Sequence, residues 1–386
     1  MFGRRDPSLA FANGVKRCRG CLPRWLALGF LVLPVCLALT TLRVLAQDTL
    51  AVPGAGAGAK AEDLTGLSLQ ELYNLDVVQL NVLGGHTHPS GQTMFGYQYM
   101  HTDMEGYLQH TREVSPQDVF AQGFHTLHTQ MEMDMHMFEV MHAPTDRLTL
   151  MAMLPYKEMT MKHLTDMGGR FTQTAAGIGD VEVMGLYTLF GSVRKGGNRL
   201  ILNGGVSLPT GSTDVKDHAN GDASQANVKL EYPMQLGSGT YDLLPGLTYL
   251  GDSGRWSWGA QTLEAVRLGR NSSGYRFGND YRLSFWGAYG ITDWFAPSLR
   301  VDGHWWENVH GRDAAYGPQP HNPEARADLR EGRRVDLLFG IGLYDTKGLL
   351  KGTRLMVEGG LPVYQWLRGP QLGTAWMLNV SATYAF

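Results

Sequence analysis

From Thr93 to the C-terminus, apolar and polar residues alternate in steps of two over a series of short stretches, the period of a strand whose two faces meet different surroundings. The last stretch is the clearest. Trp376, Leu378, Val380, Ala382, Tyr384 and Phe386 form an apolar row with an aromatic at each end, and Met377, Asn379, Ser381, Thr383 and Ala385 form a smaller, more polar one. Elsewhere Leu200, Leu202, Gly204, Val206 and Leu208 oppose Asn203, Gly205 and Ser207; Val335, Leu337, Phe339, Ile341 and Leu343 oppose Asp336, Gly340 and Gly342; Leu355, Val357, Gly359 and Leu361 oppose Arg354, Met356 and Glu358. The pattern predicts twelve strands, near 93–102, 130–142, 147–157, 178–190, 198–208, 239–250, 255–268, 281–291, 294–306, 333–344, 353–361 and 374–386. Pro209 and Pro362 follow predicted strand ends, whereas Pro245 and Pro297 fall inside predicted strands.

The connections alternate in length. Short ones lie near 143–146, 191–198, 251–255, 291–293 and 345–352, and long ones near 103–129, 158–177, 209–238, 269–280, 307–332 and 362–373. Short turns at one end and longer loops at the other are expected of an all-β, transmembrane, antiparallel up-and-down β-barrel, with the apolar row in lipid and the charged row in the lumen. An Arg or Lys at mid-membrane costs about 2–4 kcal/mol, which fixes the choice of face.

Ahead of the strands, Met1 to about Ala46 carries basic residues, an apolar run from Trp25 to Leu39 and a small residue at Ala46, the layout of a cleaved secretory signal over residues 1–46. Cys18, Cys21 and Cys36 all lie in it, so the exported chain is expected to hold no disulfide. Removal of the segment leaves 26 Lys and Arg against 35 Asp and Glu, a net charge of −9 that disfavours nucleic acid. Residues 47–92 are expected to be a periplasmic linker and short helix: a small-residue tract over 47–61, then Leu64, Leu67, Leu69, Leu72 and Leu75 at near-helical spacing, with Ser68 and Glu71 placed as a capping box. The barrel would occupy 93–386.

Two groups of residues could carry chemistry. The row assigned to the lumen gathers Glu182, Asp242, Arg282, Arg300, Asp302, His304, Asp336, Arg354 and Glu358, either as paired structural ladders or as a mixed-charge constriction. Separately, thirteen of eighteen Met and nine of thirteen His lie between His86 and Met167. Thioether and imidazole together suit a soft or borderline cation, copper first, with His125, His128, His136 and His163 as candidate ligands. No cofactor is required by the remaining pattern. Met131, Met133, Met135 and Met137 alternate with Glu132, Asp134 and His136, so only one set can face the lumen. Placing the carboxylates there sends the methionines to lipid and calls for a bulge near Phe138. No Ser/His constellation marks a barrel hydrolase, and GIGD at 177–180 and GSGT at 237–240 are turns rather than phosphate loops, so no enzyme is expected.

The terminal strand resembles the C-terminal strand that bacterial outer-membrane barrels present to their assembly machinery. The runs PTDRLTLMAMLPY at 144–156, GIGDVEVMGLYTLF at 177–190, LPTGS at 208–212 and QLGSGTYDLLPGLTYLG at 235–251 resemble the outer-membrane transporter-like family named for a meta-pathway of phenol degradation. That resemblance implies a Gram-negative outer-membrane barrel of channel or transporter type and brings no catalytic residues. Residues 63–80 resemble the segment ahead of the plug in TonB-dependent receptors, although strands starting near Thr93 leave no room for a plug. The leading expectation is a channel for a small solute in contact with outer-membrane lipid. The alternatives are a protein that binds copper or another heavy metal, and a structural barrel or assembly partner that engages a periplasmic protein through residues 63–80.

Overall fold

Ten strands follow one another around a ring before the chain reaches its last element. They are β1 (Thr93–His110), β2 (Thr126–Thr145), β3 (Leu148–Thr165), β4 (in two segments, Arg170–Ile178 and Val181–Phe190), β5 (Arg199–Leu208), β6 (Tyr241–Leu243 and Gly246–Ser253), β7 (Trp256–Leu268), β8 (Asp280–Tyr289), β9 (Phe295–Trp306) and β10 (Gly332–Tyr344). Each pairs antiparallel with its neighbours in chain order. The last element, Thr353–Ala385, spans 33 residues and is antiparallel to both β10 and β1. Those two strands run in opposite directions, so the element must turn back on itself. Its ends meet where Ala385 N–H donates to the Gly352 carbonyl at 3.2 Å, and Gln365 and Thr374 exchange hydrogen bonds across the hairpin. Its first half, paired with β10, is β11, and its second half, paired with β1, is β12; twelve passes close an antiparallel barrel. The structure is a computed structural model that describes residues 82–222, 224, 226–345 and 352–386. The helix expected over residues 63–80 and the signal over 1–46 lie outside the described residues.

The two faces of the wall differ as the alternation requires. Leu150, Val183, Leu202, Phe285, Leu299, Phe339, Ile341 and Leu361 project outward and are exposed, whereas Met94, Met141, Met151, Met184, Leu186 and Ile201 are buried inside. From Trp376 to Phe386 the chain rises by about 33 Å at roughly 3.3 Å per residue, and a tilt near 40° reduces this to the ~25 Å height of an outer-membrane apolar band.

Four expectations need correction. Met131, Met133, Met135 and Met137 face the lumen, and Glu132, Asp134 and His136 face outward, because Phe138 and Val140 continue the same outward row into lipid. No bulge occurs at Phe138: pairing with β1 is unbroken from Thr93 to Glu105, and pairing with β3 is unbroken from Gln130 to His142. The outward row turns polar because β2 has left the hydrocarbon and continues above it. For the same reason β1 to β4 are longer than expected and consume much of the loops assigned to 103–129 and 158–177. Finally, the strand continues past Pro362, which sits at the register shift between Val335 and Asp336. That is where a missing N–H is tolerated.

Candidate functional site

All nine charged residues expected in the lumen lie on the lumenal row, and most of them are paired. Arg300 forks onto Glu358, Nε to Oε1 at 3.2 Å and Nη2 to Oε2 at 3.1 Å, and also bonds Asp302. His304 Nε2 lies 2.6 Å from Asp280 Oδ2, Arg334 Nε donates to Asp336 Oδ2 at 2.8 Å, and Arg267 is bonded to Asp242. Asp280, Arg267 and Arg334 were missed from sequence, although Asp280 and Arg334 continue rows already assigned inward by one step of two; the strand of Arg267 had no residue assigned to the lumen. The pairs are not equally dry. The Arg300 and Glu358 side chains are 7 % and 0 % exposed, whereas Arg282, on the same wall, is 58 % exposed. An exposed arginine on an inward row means that water reaches the lumen there.

The lower end of the lumen is crossed by the chain itself. Residues 82–92, assigned to a periplasmic linker, enter the barrel: Val82 packs among Met94, Met141, Met151, Met153 and Met184. Asn203 Nδ2 donates to the Gly84 carbonyl at 3.0 Å and Gln261 Nε2 to the Leu83 carbonyl at 2.8 Å. The His88 amide donates to Thr149 Oγ1 at 3.0 Å. Gly84 has φ +60°, and a Cβ there would lie 3.0 Å from Asn203 Nδ2 and 3.2 Å from Leu186 Cδ2. Only glycine fits this crossing without strain.

At the upper end, the connections after β5, β7 and β9 fold inward. Leu230, Met234 and Leu236 pack on Met131, Met159 and Met161, and Tyr232, Tyr275 and Val309 form a second buried cluster. Two of the four candidate histidines meet there. His128 and His163 are cross-strand partners with ring centroids 4.5 Å apart, both buried, and Glu231 and Glu324 reach them from the loops after β5 and β9. Burial pushes the Glu231 carboxyl up, and the adjacent His128 imidazole more than reverses this, holding it down to about 2. The carboxylates were not legible from sequence, since nothing local ties residues 231 and 324 to residue 128. His125 lies apart, with Nδ1 2.6 Å from Asp166 Oδ2 near the surface. His136 is on the outer wall, Nδ1 2.7 Å from the Tyr97 hydroxyl, beside Asp134, which accepts from the Tyr99 hydroxyl. These belong to the polar and aromatic rim where the wall leaves the lipid.

Residues 115–322, more than half of the chain, match the family described as "Putative MetA-pathway of phenol degradation". The chain belongs to that family. Its fold is similar to the crystal structure of an outer membrane channel from Pseudomonas putida F1, with 13 % identity, a TM-score of 0.56, and coverage of 80 % of this chain and 100 % of that one. A Pseudomonas aeruginosa FadL homologue superposes more loosely, with 10 % identity, a TM-score of 0.39, and coverage of 76 % and 90 %. The P. putida toluene transporter TodX is similar at 12 % identity, a TM-score of 0.39, and coverage of 77 % and 90 %. No curated protein sequence matches. The closed barrel with its apolar belt is an outer-membrane protein. The likeness of residues 63–80 to receptor pre-plug segments has no counterpart in these comparisons.

Proposed function

We propose that the protein passes a small solute across the outer membrane through a lumen held closed from below by residues 82–88 and roofed by the outer loops after β5, β7 and β9. The observation that carries this reading is the wet, charged wall inside an otherwise packed barrel, with Arg282 exposed on a lumenal row. A barrel serving only as a scaffold gains nothing from a solvated arginine at that depth. The strands from β8 to β11 set Arg282, Arg300, Arg334 and Arg354 against Asp280, Asp302, Asp336 and Glu358, so their charges cancel. A neutral sum favours weak ion selectivity and uncharged or dipolar solutes over strongly charged ones. The opposite wall is built of methionine, and displacement of Val82 would open an adaptable apolar surface beside the polar one. The path therefore suits a solute with one apolar and one polar side.

The test is conductance of the purified protein in planar bilayers, combined with liposome swelling over a panel of small neutral and charged solutes. Discrete conductance steps with a reversal potential near zero in a salt gradient are expected. No steps and no swelling with any solute would sink the reading.

A further inference from the structure

We infer that His128, His163 and Glu231 form a binding site for one divalent transition-metal ion of the zinc type, set inside the upper mouth of the barrel. The site lies away from the charged wall and does not depend on the proposed conduction.

The three residues come from β2, β3 and the loop after β5, are all buried, and place one potential ligand atom each within 4.8 Å of the others. Their free valences converge. Neither ring nitrogen of His163 has a hydrogen-bond partner, nor has Glu231 Oε2, and His128 Nδ1 and Glu324 Oε2 approach to 3.2 Å as an ion pair without a well-formed hydrogen bond. Buried polar atoms are nearly always satisfied, and here two imidazole rings and one oxygen of each of two carboxylates lack a full hydrogen bond in one place.

The surrounding contacts select which atoms remain available. Glu324 Oε2 lies 3.2 Å from His128 Nδ1, and its other oxygen accepts from the Tyr107 hydroxyl at 3.0 Å; that hydroxyl in turn accepts from the His128 amide at 2.7 Å. A carboxylate on one ring nitrogen is the usual support of a metal-bound histidine, because it fixes the tautomer and turns the other nitrogen toward the ion. That other nitrogen, Nε2, faces Glu231, with Oε1 at 3.8 Å. Glu231 Oε1 is already engaged by Asn322 Nδ2, which leaves Oε2. His163 is held flat against Phe171, with ring centroids 4.3 Å apart and planes 6° from parallel, so its nitrogens lie at the ring edge toward the cluster.

Two imidazoles and one carboxylate form a borderline set that fits zinc in four-coordinate geometry with one position left for water or solute. The set contains no thioether or thiolate, so it does not favour copper(I). Binding would draw the ligand atoms closer than their present separation, and it would tie the loop after β5 to the barrel wall.

The alternative is a metal-free ion pair in which a protonated His128 bridges two glutamates. Titration calorimetry of the folded full-length protein in detergent with zinc chloride, in excess magnesium, separates the two. One equivalent bound in the low-micromolar range or tighter is expected. Glu231→Gln and a His128→Ala/His163→Ala double variant should abolish this binding. Glu324→Gln should weaken it by about 10–100-fold, and His125→Ala should leave it unchanged. Heat-modifiable gel mobility checks that each variant is folded. Absence of zinc binding to the wild type overturns the inference, as does unchanged affinity in Glu231→Gln, which keeps the size and shape of the side chain should the double variant fail to fold.

Discussion

Removing the Glu358 carboxylate would leave the Arg300 guanidinium buried with two of its three bonds gone, and breaking a buried pair in this way costs about 3–5 kcal/mol. Glu358→Ala should therefore lower the urea midpoint of unfolding in lipid vesicles markedly. Arg282 sits on the same wall but is mostly exposed to lumenal water, and exposed ion pairs contribute about 0–1 kcal/mol. Arg282→Glu should leave that midpoint nearly unchanged and shift the reversal potential toward cations. The contrast tests whether burial, rather than charge alone, separates structural residues on the wall from selective ones.

At the scale of the strand, the lipid-facing row has a depth as well as a side. Phe339 is the middle outward residue of β10 and is 62 % exposed, whereas Thr160 of β3 pairs with Glu132 above the apolar belt. Phe339→Arg should cost about 2–4 kcal/mol in vesicle-refolding titrations and Thr160→Arg about 0–1 kcal/mol. Equal costs would mean that the belt has been placed at the wrong height. All twelve strands and much of the inward charged row were legible in sequence, because lipid imposes a strong contrast between successive residues. That contrast vanishes where β1 to β4 rise above the hydrocarbon, so their upper halves read as loops and the polar residues of β2 read as lumenal. The histidine pair was half legible: composition pointed to His128 and His163, but the irregularity at Thr129 and the distant Glu231 and Glu324 come from tertiary structure alone.

In the proposed reading the described residues close the lumen at two levels by different means. The upper level is held by apolar loop packing, so opening it would expose Tyr232, Tyr275 and Met234 together. The lower level rests on a short crossing with few anchors, chief among them the Asn203 and Gln261 amides on the Gly84 and Leu83 carbonyls. A net contribution of about 0.5–1.5 kcal/mol per bond makes these two anchors worth about 1–3 kcal/mol. The lower crossing is therefore the weaker gate. An Asn203→Ala/Gln261→Ala variant should spend roughly five- to a hundredfold more time with the lower level open, read as increased open probability in planar bilayers at unchanged unit conductance. Replacing residues 82–88 with a Gly-Ser tract should go further and raise the unit conductance itself, because the crossing would no longer occupy the bore. If both variants match the wild type, residues 82–88 do not limit the current and the controlling barrier lies in the upper loops.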